Sequence, residues 1–185
     1  MRTDSPSRSA FTLAEILVSL AIIAILGAAV VPTIKGRLTV ASANALAGEL
    51  QGLQQAILAF RTNTGRYPST LAYLTYAPPG ATTDICGAGI TGTNILNYRG
   101  PYVTRNITAN YVVGDNYTVH VALVLVLAAS PDPEYLQIDV TGVDKQAADI
   151  LERQYDGSPI HYGSGTIVYA LNTGELWYQI PISGC

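Results

Sequence analysis

The sequence predicts an α+β protein: a long N-terminal helix, membrane-spanning in its first half, packed against a C-terminal antiparallel β-sheet. Three observations predict it. An apolar run occupies residues 11–31, an amphipathic helical pattern continues it to about residue 64, and β-branched segments are confined to the last third of the chain. With 185 residues, the chain has room for one ordinary folded domain plus an appendage.

The run "FTLAEILVSLAIIAILGAAVV" holds one ionisable group, Glu15. As a helix rising about 1.5 Å per residue it extends roughly 30 Å, the thickness of a bilayer core. Twelve of its residues are Phe, Leu, Ile or Val. At roughly 0.3–0.6 kcal/mol each, they outweigh the roughly 3 kcal/mol that an acidic residue costs at a membrane centre. The run is longer than the apolar core of a secretory signal, and a plain anchor leaves the acid unexplained. Arg2, Asp4 and Arg8 on one flank nearly balance Lys35 and Arg37 on the other, so flanking charge does not orient the segment.

Residues 11–34 are therefore expected to form the apolar part of the helix and 35–64 its amphipathic continuation. Pro32 removes a backbone donor and Gly36 follows one turn later, which marks a bend. Beyond it, Leu46, Leu50, Leu53, Ile57 and Phe60 recur at spacings of three and four, a stripe that reads as core. "NTGRYP", 63–68, supplies the stop, with Gly65 free to take a left-handed cap and Pro68 unable to continue a helix.

Residues 65–185 then form the globular head. Its first part, 65–105, is rich in Pro, Gly and Thr and is expected to be an irregular loop. Gly87, Gly89 and Gly92 fit GxGxxG, but no apolar strand precedes them, and Gly100-Pro101 interrupts any helix that would face a pyrophosphate. A sheet is expected over 107–185. "NYTVHVALVLVLA", 116–128, reads as a central strand and "YLQIDV", 135–140, as a half-buried neighbour. "DKQAADILERQ", 144–154, reads as a short helix capped by Asp144, with Ala147, Ala148 and Leu151 inward. "TIVYAL" and "ELWYQI" flank Asn172-Thr173-Gly174 as a hairpin.

Composition narrows the functional classes. The net charge is −3 and the cations are scattered singly, so no nucleic-acid partner is expected. Of the two histidines, His120 lies within the apolar strand as a hydrogen-bonded core residue and His161 in a loop; neither carries a nucleophile signature, so no catalytic residue is assigned. Asp132, Glu134, Asp139, Asp144 and Asp156 lack EF-hand spacing and read as solvated surface. Cys86 and Cys185 are spaced for neither a metal site nor a redox pair, which leaves one long-range disulfide as a candidate. All twelve tyrosines follow residue 60, as amphipathic packing residues. Asn106 and Asn116 head N-x-[ST] triplets that read as incidental.

The segment "SAFTLAEILVSLAIIAILGAAVVP" resembles the amino-terminal segment of type IV pilins and type II secretion pseudopilins. A short polar leader, a small residue before Phe, Glu at the fifth position after the cut, and Pro32 carry the likeness. The resemblance implies that a prepilin peptidase removes the leader, 1–10, between Ala10 and Phe11, and methylates Phe11. Ala10 stands where glycine is commoner. The new ammonium on Phe11 and the Glu15 carboxylate of an adjacent subunit would neutralise each other in hydrocarbon, so Glu15 would set the stagger of an assembled filament. Partners implied are copies of this chain, other pilin-like subunits, an inner-membrane assembly platform and membrane lipid. The implied place is the bacterial inner membrane, with the head in the periplasm or outside the cell. "TGRYPSTLAYL" and "YRGPYV" resemble major pseudopilins, which also hold calcium near a C-terminal loop; no other cofactor is implied. A Cys86–Cys185 bridge would point instead toward pilins, many of which close a C-terminal region this way. A structural subunit, not an enzyme, is the expectation.

Overall fold

The computed structural model describes residues 12–114, 116–127, 134–157 and 165–185, without the side chains of 29–35. Ala10, Phe11, Asp132, His161 and the Pro32 side chain therefore lie outside the described residues. Two compact units are present, residues up to Leu38 and Thr39–Cys185.

Helix α1, Leu13–Thr64, is helical through positions 32 and 36. Thr12 opens it, its Oγ1 accepting the Glu15 N–H at 3.3 Å, which satisfies one of the donors orphaned at a helix start. The other end closes as the sequence requires. Gly65 adopts φ 71° and its N–H bonds to the Arg61 carbonyl, while Asn94 Nδ2 donates to the Thr64 carbonyl at 2.8 Å.

Within the Thr39–Cys185 unit, the stripe Leu46, Leu50, Leu53, Ile57 and Phe60 is fully buried. Each such side chain contributes roughly 1.5–3 kcal/mol by leaving water. The cover is a five-stranded antiparallel sheet of β3 (Tyr111–Val113), β4 (Tyr117–Val126), β5 (Glu134–Thr141), β6 (Ile167–Ala170) and β7 (Glu175–Ile182), in the order β3-β4-β5-β7-β6. Alternation sends Leu136, Ile138 and Val140 of β5, and Leu176, Tyr178 and Ile180 of β7, into the core. Helix α3, Lys145–Tyr155, is capped by Asp144, whose carboxylate accepts the Ala147 N–H at 2.8 Å. It buries Ala147, Ala148 and Leu151, joined by Glu152, which the apolar pattern did not reveal. The β6–β7 hairpin turns through Gly174 at φ 69°.

The 65–105 stretch carries short elements the composition did not announce: a 3-10 turn at Leu71–Leu74, a two-stranded ribbon of β1 (Thr82–Thr83) and β2 (Gly89–Ile90), and α2, Gly92–Leu96. Strand β4 is flanked on both sides, yet β3 covers only Tyr117–Val119. Past that point the register slips between Val119 and Leu123, and the loosened backbone is held by side chains. Asn110 Oδ1 accepts the Val121 N–H at 2.9 Å and Thr70 Oγ1 donates to the Val121 carbonyl at 3.0 Å.

One expectation is corrected here. His120 is hydrogen-bonded, to Thr141 Oγ1 at 3.3 Å and Asn110 Nδ2 at 3.4 Å, but it is half-exposed on the sheet face away from α1 rather than in the core. Tyr117 and Val119 point inward, and strand alternation places His120 opposite to them.

Candidate functional site

Glu15 lies in the first turn of α1, three residues after Thr12. Thr-x-x-Glu is the spacing of a capping box, a signal present in the sequence that a reading centred on charge pairing passes over. The threonine half of that box forms. Among the described residues no group bonds the Glu15 carboxylate, and the residue is exposed. Its own carbonyl accepts from Ser19 Oγ at 2.8 Å. A carboxylate here also meets the positive end of the helix dipole, which stabilises the first turn by a few tenths of a kcal/mol to about 1 kcal/mol.

Around Glu15 the helix surface is apolar and uncovered. From Leu13 to Leu26 every Leu, Ile and Val is 49–78% exposed. Nine large aliphatic side chains left open on one short helical stretch exceed what an isolated soluble surface ordinarily carries, and mark a surface that another apolar phase or copy covers. Among the described residues no helix is long and apolar enough to cross a membrane. The apolar run read from the sequence extends past both ends of the described stretch, into residue 11 and into 29–31.

In the other unit, polar ties anchor the second half of α1. Tyr111 donates to Glu49 Oε1 at 2.7 Å, Tyr178 to Gln54 Oε1 at 2.6 Å and Tyr155 to the Ala47 carbonyl at 2.9 Å. Arg105 stands 3.8 Å from Glu49 and over the Tyr111 ring. Burial, then the Glu49 hydrogen bond and charge, push the Tyr111 phenol well above its ordinary range, although Arg105 opposes this. Beside these groups runs a groove of about 640 Å³ along Gly48, Gly52 and Ala56, bounded by Tyr102 and Arg105.

Cys86 and Cys185 are bonded, with Cα atoms 5.2 Å apart. The same C-terminal residues are held by Arg61, whose Nη2 donates to the Ser183 carbonyl at 2.6 Å while its guanidinium lies 4.5 Å from the Tyr67 ring centre. Sequence spacing offered both cysteines as candidates but said nothing of Arg61. Among the described residues no group of His, Cys, Asp or Glu side chains is placed to hold a metal ion; Asp144 caps α3, Asp139 accepts from the Gln137 side chain and Asp156 accepts the Thr166 and Ile167 N–H groups, while Glu134 opens β5.

The prokaryotic N-terminal methylation motif matches residues 5–31. No curated protein and no solved structure matches the chain. That motif belongs to structural rather than catalytic proteins, implies processing by a prepilin peptidase and assembly with pilin-like subunits, and points to a membrane-anchored pilus or pseudopilus subunit. Residues 5–31 thus form the prepilin-type signal of type IV pilins and pseudopilins, and the chain that carries it is supported as a pilin-like or pseudopilin subunit in the general sense.

Proposed function

We propose that the chain is a structural subunit of a type II secretion pseudopilus. After cleavage between Ala10 and Phe11 and methylation of Phe11, many copies would stack through the apolar half of α1 into a periplasmic rod. The rod moves protein substrates mechanically, with energy supplied by a separate cytoplasmic ATPase. The observation that carries this reading is the combination of the prepilin-type signal with an exposed Glu15 amid uncovered apolar side chains.

The physical logic rests on pairing. A buried ammonium and a buried carboxylate each cost several kcal/mol alone, so a neighbour docked at the wrong axial offset leaves both unpaired. Register is thereby specified even where the pair adds little net stability. Glu15→Gln removes the charge while keeping shape. It should abolish or sharply reduce incorporation into filaments while leaving the monomer folded; unimpaired assembly would defeat the register role.

A second reading, a type IV pilin in adhesion, motility or DNA uptake, is favoured by one observation, the Cys86–Cys185 bridge across the C-terminal region. Deleting the coding region separates the two. Loss of protein export with no surface fibre supports the pseudopilus, and loss of a surface fibre with export intact supports the pilus.

A further inference from the structure

The sheet face turned away from α1 and α3 has no part in the assembly reading. Strand register arranges its central residues in cross-strand pairs: Gln137 lies opposite Gln179, and Asp139 opposite Trp177. Tyr135 stands four residues before Asp139 on β5, a separation of roughly 13–14 Å at about 3.4 Å per residue. Two aromatic rings therefore mark the ends of a strip, with the Gln137–Gln179 amide pair between them and the Asp139 carboxylate beside Trp177 at one end. All five residues are part-exposed. Gln137 Nε2 donates to Asp139 Oδ1 at 2.6 Å, which holds that pair in place. The Tyr135 hydroxyl, the Trp177 indole N–H and the Gln179 side-chain amide make no hydrogen bond to another described residue, while the Gln179 backbone N–H donates to the Thr166 carbonyl at 2.8 Å.

Charge and layout together select the occupant. The described residues of this face include the acids Asp139 and Glu175 and no Lys or Arg, while His120 is engaged by Asn110 and Thr141 at the β4 side. A polyanion, whether nucleic acid, phospholipid headgroup or sulfated glycan, would meet repulsion with no compensating cation. A protein partner is favoured by aromatic and apolar groups at the centre of a patch with polar groups at its rim; here the order is reversed, the Gln137–Gln179 pair holding the centre while Tyr135, Trp177, Val124, Val126 and Val168 stand around it. Sugars fit that reverse order. The faces of their rings present C–H groups that pack on aromatic rings, and their hydroxyls both donate and accept, matching amide and carboxylate groups. The strip runs roughly 13–14 Å along the strands, which suits an extended chain over a single small molecule.

We infer that this strip binds a neutral, unbranched oligosaccharide, with Tyr135 and Trp177 stacking on sugars at its two ends, Gln137 and Gln179 bonding the hydroxyls between them and Asp139 those of the sugar on Trp177. Binding here is independent of filament assembly and adds a recognition function to it.

The chain holds a single tryptophan, so Trp177 emission reports this surface and no other. The full chain in detergent is titrated with neutral β-1,4-linked oligomers of glucose and of N-acetylglucosamine, with a sulfated oligosaccharide alongside. A saturable change in emission with a neutral oligomer is expected. By calorimetry, Trp177→Ala and Tyr135→Ala should each weaken binding about tenfold, with far-ultraviolet circular dichroism unchanged. Where Trp177→Ala unfolds, Trp177→Phe keeps a ring and should retain binding, and Tyr135→Ala carries the test. No saturable response to either neutral oligomer overturns the inference. So does equal affinity in the folded variants, preference for the sulfated probe, or a lysate protein captured in a Trp177-dependent way while neutral sugars stay inert.

Discussion

The Tyr178 hydroxyl donates a 2.6 Å hydrogen bond to Gln54 Oε1, tying a core residue of β7 to a polar position on α1. Tyr178 is 1% exposed, and the Tyr155 ring packs edge-on against it at 5.3 Å. Tyr178→Phe keeps the ring and strands the Gln54 oxygen. A loss of about 1–2 kcal/mol is expected, seen as a lower denaturant midpoint at unchanged slope.

Tyrosine burial also fixes the response to alkali. Desolvation first, then neighbouring Tyr155 and Asp156, raises the Tyr178 phenol; desolvation and Glu49 raise Tyr111. An unfolded tyrosine ionises near pH 10, so above that value the unfolded state has released protons that the folded state still holds. The stabilisation is complete below about pH 10 and is lost as pH climbs toward the higher folded values. Alkaline unfolding should therefore be steep above pH 10, and shallower in the Tyr111→Phe, Tyr178→Phe double variant, when followed by circular dichroism against pH.

Phe60 ends the buried stripe of α1 and meets Tyr98 and Tyr102 edge-on, at 6.2 and 5.9 Å. Phe60→Ala removes the ring from a fully buried site and should cost about 3–5 kcal/mol. Thermal denaturation checks this, and Leu58→Ala, at an exposed position of the same helix, should cost well under half as much.

Cys86 and Cys185 close a loop across 99 positions of sequence. In the chain-entropy account such a crosslink contributes about 4–5 kcal/mol. The double variant Cys86→Ser, Cys185→Ser should lose up to that amount in chemical denaturation. The Arg61–Ser183 and Tyr67–Ser183 hydrogen bonds should keep the C-terminal strand folded, as amide exchange along β7 would register.

Much of this structure was legible from residue spacing. Leu46 to Phe60 announced a buried helical face because a 3.6-residue period is hard to satisfy by chance, and Asp144 and Gly65 marked helix ends because caps need particular side chains and dihedrals. His120 was misplaced because Val121, Ala122 and Val124 make its strand apolar on both faces, which hides the alternation. The ribbon and short helix within 82–96 left no periodic trace, being too brief to repeat. At the candidate site, Glu15 stood out as the sole charge in an apolar run, whereas the Tyr111–Glu49 bond joins residues 62 positions apart and the strip on the outer sheet face depends on strand pairing. The first needs β3 to be laid against α1, and the second needs β5 to lie beside β7.

The most direct test of the account is mass spectrometry of the amino terminus of subunits recovered from assembled filaments. The account predicts a chain that begins at Phe11 and carries one methyl group on its α-amine. Filaments built of chains that still begin at Met1 would contradict it, because no ammonium would then lie within reach of a neighbour's Glu15.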